Sequence, residues 1–200
     1  MAPTKHLSRC PALSGLDFYL RPLSVADVKS CVIVESAFPE HERCSEEKFL
    51  YRLNQIPTLS IGLFLRDHSH SDRLIGHIIG MRSSTPVITD GSMLMPENWR
   101  SLPPGKPWTL GGQLIGNDPL GKTVAVHSVV MTPEFQGGGI GKAFVRDYVD
   151  YIKGNIDGER LALIAHDHLI GFYESCGFKN LGVSQVGFAG GGWFDMILPY

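Results

Sequence analysis

The stretch from Val126 to Tyr148, "VHSVVMTPEFQGGGIGKAFVRDY", holds the decisive pattern of this chain. A β-branched run passes through Thr132 and Pro133 into three consecutive glycines, and an amphipathic helical period begins as they end. Strand, bare backbone and helix in that order make a cradle for an anion. A helix start offers unpaired N–H groups and the positive end of its dipole, and glycine carries no Cβ to hold a diphosphate away. Two nucleotide-binding motifs share this layout, and neither fits. The Walker A pattern needs Gly where Gln136 stands and Ser or Thr where Ala143 stands; the dinucleotide pattern begun by Gly137 and Gly139 meets Lys142 in place of its last glycine.

On the N-terminal side, "DFYLRPL" reads as a strand, and Ser24 with Asp27 opens a helix running to about Phe38, where Pro39 ends it. Ser45, followed by Glu46 and Glu47, starts a second helix that stops near Pro57. "LSIGLFLRD" and "RLIGHIIGMRS" are strands joined as a hairpin through "HSHSD". Residues 84–122 are crowded with Pro, Gly, Ser and Asn and read as one long loop. Then come a strand at 123–131, a helix from 139 to about 156, a strand at 160–165, a helix at 167–176 with Asp167 as its N-cap, and strands near 179–184 and 193–198. The expected architecture is α+β, with helices flanking one mixed sheet: a single domain over 17–200 behind a loose segment 1–16.

Composition narrows the function. A chain of 200 residues suits one substantial core. A net charge of −2 and a pI near 6.4 argue against nucleic acid or an anionic membrane as partner. No apolar run approaches the roughly 20 residues that span a bilayer, and the first residues lack a signal-peptide core, so a cytoplasmic protein is expected. Cys10, Cys31, Cys44 and Cys176 are scattered without metal-ligand spacing and read as reduced thiols.

The run Gln136-Gly137-Gly138-Gly139-Ile140-Gly141 matches Q/R-x-x-G-x-G/A, the acyl-CoA loop of the GNAT N-acetyltransferases, and the chain resembles that superfamily. "FYLRPLSVADV", "AFPEHERCSEEKFLYRL", "LIGHIIG", "FYESCGF" and "WFDM" extend the likeness over most of 18–196, the middle loop excepted. They point to the arylalkylamine (serotonin) N-acetyltransferase branch and its fungal polyamine acetyltransferase relatives. The resemblance implies a three-layer fold whose sheet of about seven strands is splayed between the fourth and fifth. It implies acetyl-CoA as co-substrate and no metal. Val129, Val130 and Met131 would bond the pantetheine arm through their backbone, and the loop from Gln136 to Gly141, with Lys142, would hold the diphosphate. His166 stands in a region where many members contact CoA through Asn.

In that family a neutral amine attacks the thioester directly. An amine with a pKa near 10.4 must first lose a proton, and the leaving thiolate must gain one. Tyr173, placed before Gly177-Phe178 in "FYESCGF", is the implied donor, and His127 the implied base. Animal relatives carry His-x-His where this chain reads Ala125-Val126-His127, so only the second histidine is present. Strand alternation puts His127 and Val129 on one face; a histidine bonded to a neighbouring carbonyl is the structural alternative. On the substrate side, Glu40 and Glu42 suit an ammonium, Phe38, Pro39 and Phe188 an apolar wall, and Asp195 the pocket edge. The cluster His166-Asp167-His168 lacks a further ligand and is not read as a metal site. The expected partner is a small amine bound by a monomer or weak homodimer. The alternatives are a protein or peptide N-acetyltransferase and a non-catalytic CoA-binding sensor.

Overall fold

The strand at 123–131 forms on a run dense in β-branched residues, TVAVHSVVM, and the helix after it where apolar residues recur every four. The computed structural model describes every residue except 1, 3, 68–70 and 103–104. The strands are β1 (Phe18–Pro22), β2 (Ile61–Leu65), β3 (Arg73–Ser83), β4 (Trp108–Leu110), β5 (Gln113–Ile115), β6 (Thr123–Met131), β7 (Arg160–Ala165), β8 (Lys179–Val183) and β9 (Phe194–Pro199). The helices are α1 (Val28–Glu35), α2 (Glu46–Gln55), α3 (Asp90–Met93), α4 (Ile140–Asn155) and α5 (Ile170–Glu174). Seven strands form one mixed sheet in the order β1-β2-β3-β6-β7-β9-β8, and β4 with β5 forms a separate hairpin. The chain divides into two compact units, Met1–Ile79 with Ser128–Ile156 and Gly80–His127 with Asp157–Tyr200; β3 and β6 run through both.

In the first unit, β1 and β2 pair antiparallel, as do β2 and β3, so the predicted hairpin forms. Its turn "HSHSD" falls mostly on 68–70, outside the described residues. The Ser24–Asp27 start forms as predicted, Asp27 Oδ2 accepting the Ser24 N–H at 2.8 Å; a 3-10 turn precedes α1, which ends at Glu35, earlier than expected. Ser45 caps α2 by accepting the Lys48 N–H at 3.2 Å. Ile140, Phe144, Tyr148 and Ile152 make the buried stripe of α4.

The segment expected to be loose is instead docked. Leu7 is fully buried, and the Asp147 carboxylate on α4 accepts the backbone N–H groups of His6 and Leu7, each at 2.9 Å. His6 Nε2 lies 3.2 Å from Asp150. These three side chains bring ligating atoms within 4.8 Å of one another, but both Asp147 oxygens are occupied as a tether.

Val28, Cys31 and Glu35 lie three and then four residues apart, so Glu35 falls on the buried stripe of α1. Its carboxylate meets His77 Nε2 at 2.9 Å, the Ser128 hydroxyl at 2.9 Å and the Cys44 N–H at 3.1 Å. Burial pushes the Glu35 carboxyl up, but the hydrogen bonds and charge of His77, with the Cys44 and Ser128 donors, outweigh it and hold the group below the ordinary range.

In the second unit, β9 pairs antiparallel with both β7 and β8. The parallel pairing of β6 with β7 spans only Thr123–Ala125 against Arg160–Ala162, so the strands part there. The region expected as one long loop is largely organised. Thr89 caps α3 by accepting the Ser92 N–H at 3.2 Å, and the Gly91 carbonyl accepts the Gly116 N–H at 2.9 Å. A Cβ on Gly91 would sit 2.2 Å from the Leu114 carbonyl oxygen, so only glycine lets helix and hairpin close. The helix predicted at 167–176 splits into a 3-10 turn, Asp167–Leu169, and α5; the N-cap of the turn is His166 rather than Asp167, whose carboxylate accepts the His168 N–H at 2.7 Å. Among the described residues no helix is long and apolar enough to cross a membrane, and the four cysteines are buried and form no disulfide.

Replacing Glu35 by Gln should lower stability by about 2 kcal/mol or more, since a charged acceptor of three donors becomes a neutral amide. Because the folded pKa is depressed, the Glu35 contribution is present above the ordinary carboxylate pKa and lost as pH falls through the folded value. Urea unfolding across pH 3–7 should show a shallower acid loss in the variant than in the parent.

Candidate functional site

The glycine loop belongs to the first unit. After β6 a 3-10 turn, Pro133–Phe135, leads to Gln136, and Gly137, Gly138 and Gly139 follow with φ of 83°, 56° and 81°. Three successive residues in the left-handed region require glycine. A Cβ at Gly137 or Gly139 would meet nothing within 4 Å, so these backbones face open space. Gly139 is the N-cap of α4; no side chain caps that end and its first turn holds no acidic residue. Unclaimed positive dipole, exposed glycine backbone and the half-buried Lys142 in that first turn are what an oxyanion requires.

Gln136 has a structural part. Its side-chain amide donates to the Met131 carbonyl at 3.0 Å and staples the loop to the end of β6. Gly138 is braced from behind, where a Cβ would lie 2.7 Å from that of Ala12. The Cys10 thiol donates to the Gly138 carbonyl at 3.3 Å. The docked N-terminal segment therefore forms part of the support of the loop, which nothing in its sequence signalled.

Along β6 burial follows the predicted alternation: His127 and Val129 are half-buried on one face, while Ser128 and Val130 are buried on the other. Met131 is buried. The structure thus gives His127 and Val129 the shared face expected of them. Within the second unit, His127 Nδ1 lies 3.1 Å from Met93 Sδ of α3, a neighbour supplied by the segment read as a loop.

Tyr173, on α5, is 7% exposed and packed edge-on against Phe172 and Phe178, with ring centroids 5.0 and 5.7 Å away. Burial, with a smaller push from Cys176, raises its phenol above the ordinary value, so the hydroxyl stays protonated at neutral pH. A protonated phenol has a hydrogen to donate, although the same burial makes it a weaker acid than a free phenol.

His166 stacks on Trp193 with centroids 4.0 Å apart and also on His168, which gives the histidine pair a packing role. Phe188 lies against the same cluster, its carbonyl accepting the Trp193 indole N–H at 2.7 Å. Asp195 on β9 is half-buried, its Oδ1 without a hydrogen-bond partner among the described residues. In the first unit, Glu40 and Glu42 sit in a 3-10 turn after the exposed Pro39, and Glu42 pairs with His41 at 3.6 Å. Phe38 packs on the core of that unit, and Arg43 closes the turn onto its carbonyl at 2.7 Å. Asp90 and Met93 were missed by sequence reading; Thr89 and Ser92, a capping pair inside a presumed loop, were the available signal.

The acetyltransferase (GNAT) family profile matches residues 33–178. A search of curated protein sequences found no match. Among solved structures, the chain is similar to the GphF GNAT-like decarboxylase in complex with isobutyryl-CoA, at 14% identity and a TM-score of 0.66 over 90% of this chain and 98% of that one. It is similar to the NatC complex bound to Gag peptide and CoA, at 17% identity and a TM-score of 0.64 over 92% and 99%. The PaiA N-acetyltransferase from Thermoplasma acidophilum, in complex with coenzyme A, aligns at 17% identity and a TM-score of 0.57 over 92% and 100%. At such identities these likenesses speak for the fold, and the family match over most of the chain completes the assignment: this protein belongs to the GNAT acetyltransferase family.

Proposed function

We propose that this acetyltransferase moves the acetyl group of acetyl-CoA directly onto a small primary amine, an arylalkylamine such as serotonin or tryptamine, or a polyamine. The observation that carries the reading is the loop Gly137–Gly139, held left-handed and open in front of an uncapped helix start. Its backbone N–H groups, with Lys142, bind the diphosphate, and the free edge of β6 at Val129 to Met131 takes the pantetheine arm. His127 accepts the proton that the ammonium must lose, directly or through water. The amine nitrogen bonds to the thioester carbon, the carbonyl electrons return, and the C–S bond breaks. Tyr173 supplies the proton that the thiolate takes up. Phe38, Pro39, Glu40, Glu42 and Phe188 are the proposed substrate-side residues.

Thiol release from acetyl-CoA should appear with one or more of serotonin, tryptamine, phenylethylamine, spermidine and spermine, and should exceed that with a lysine-bearing peptide. Faster turnover of the peptide would move the substrate class to proteins, and CoA binding without turnover of any amine would favour a sensor. Tyr173→Phe should lower kcat about 100-fold and leave the CoA dissociation constant unchanged; an unaltered kcat removes Tyr173 as the acid. His127→Ala should lose most above the ordinary imidazole pKa of about 6.5, where a ring is free to accept a proton, and least below it, and a pH–rate profile that only scales down removes it as the base. Gly139→Ala should strain a residue at φ 81° and weaken CoA binding about tenfold, read by calorimetry.

A further inference from the structure

The segment 84–122 does more than organise itself: with β9 and the turn before it, it borders a cavity of about 490 Å³ within the second unit. The pocket is half open to solvent, and its volume suits a small ligand. Ile88, Leu114 and Val186 give it an aliphatic wall, and no aromatic residue lines it. Its charged lining residues are Asp90 and Asp195, with no Lys, Arg or His to balance them. Asp90 accepts the Gly187 N–H at 3.0 and 3.1 Å, which leaves most of its lone-pair positions for another donor. Asp195 Oδ1 is buried with no hydrogen-bond partner among the described residues, a condition that a bound cation would relieve. The helix α3 links this cavity to His127, because Asp90 begins the helix and Met93, which touches His127 Nδ1, ends it.

We propose that the cavity receives the non-reacting cationic end of the substrate, with Asp90 and Asp195 as its specificity-determining residues. The proposal rests on the amine acetyltransfer reading above. A nitrogen held between carboxylates keeps its proton and its charge, and a charged nitrogen has no lone pair with which to attack a thioester. The nitrogen that accepts the acetyl group is therefore a second one. The aliphatic wall fits a methylene chain between the two, so the substrate class is an aliphatic dication.

The test compares 1,5-diaminopentane with pentylamine, which has the same chain and one charge fewer. Thiol release and calorimetric binding are measured for the parent, Asp90→Asn and Asp195→Asn; asparagine at 90 keeps an acceptor for Gly187, and thermal melts confirm folding. The parent should show a KM for the diamine about tenfold below that for the monoamine. Each variant should raise the diamine KM about tenfold and the monoamine KM far less. Equal KM values in the parent, or variants that change both amines alike, would overturn the proposal. If neither amine is acetylated, the reaction reading fails while the cavity is still judged by binding: diamine affinity lost in both variants supports a dication site, and absent or unaltered affinity ends it.

Discussion

Three consecutive residues in left-handed backbone, between β6 and α4, are the constraint on which the functional architecture depends. That conformation turns the chain sharply enough to leave the first turn of α4 uncovered, and it is stable only without side chains. The surroundings hold it in place. Gln136 fastens the entrance to the end of β6, and Cys10 and Ala12 back the middle glycine. The buried stripe from Ile140 to Ile152 fixes the helix behind it. Backbone this permissive would sample many shapes in isolation, and each brace lowers the entropy that a ligand would otherwise have to overcome.

The opposite face of β6 carries a different kind of constraint. Ser128 points into a core where Glu35 and His77 are also buried, at 3% and 0% exposure, and a single carboxylate collects donors from a strand, a neighbouring strand and a loop. Such a network adds little net energy over well-packed apolar residues, yet it is severe on any arrangement that leaves a member unpaired. It therefore sets the register of β6 relative to α1, and with it the face to which His127 and Val129 are turned. The buried polar network on one face and the half-buried His127 on the other follow from the same two-residue period.

The sheet, the glycine loop and the segment around Tyr173 carry the acetyltransferase identity, and structures of similar fold include a decarboxylase and a peptide-bound complex. The fold supplies acyl-CoA chemistry in general, and the acceptor is chosen by whatever walls the neighbouring space. In this chain the segment 84–122 contains a short capped helix and a hairpin of two three-residue strands.

The sequence by itself determined the order of strands and helices, the start signals at Ser24 and Ser45, the glycine loop and the place of Tyr173, because each is written in contiguous residues: periodicity, caps and a motif read within one window. It misjudged the first 16 residues and the segment 84–122, where order comes from distant partners, Asp147 for one and Leu114 against Gly91 for the other. It also made Asp167 a helix N-cap, a place that the structure gives to His166. Only the tertiary structure decided that Glu35, His77 and Ser128 form one buried network and that Asp90 and Asp195 line one cavity. Those partners lie tens of residues apart, and a carboxylate in a linear sequence looks the same whether water or a cavity awaits it.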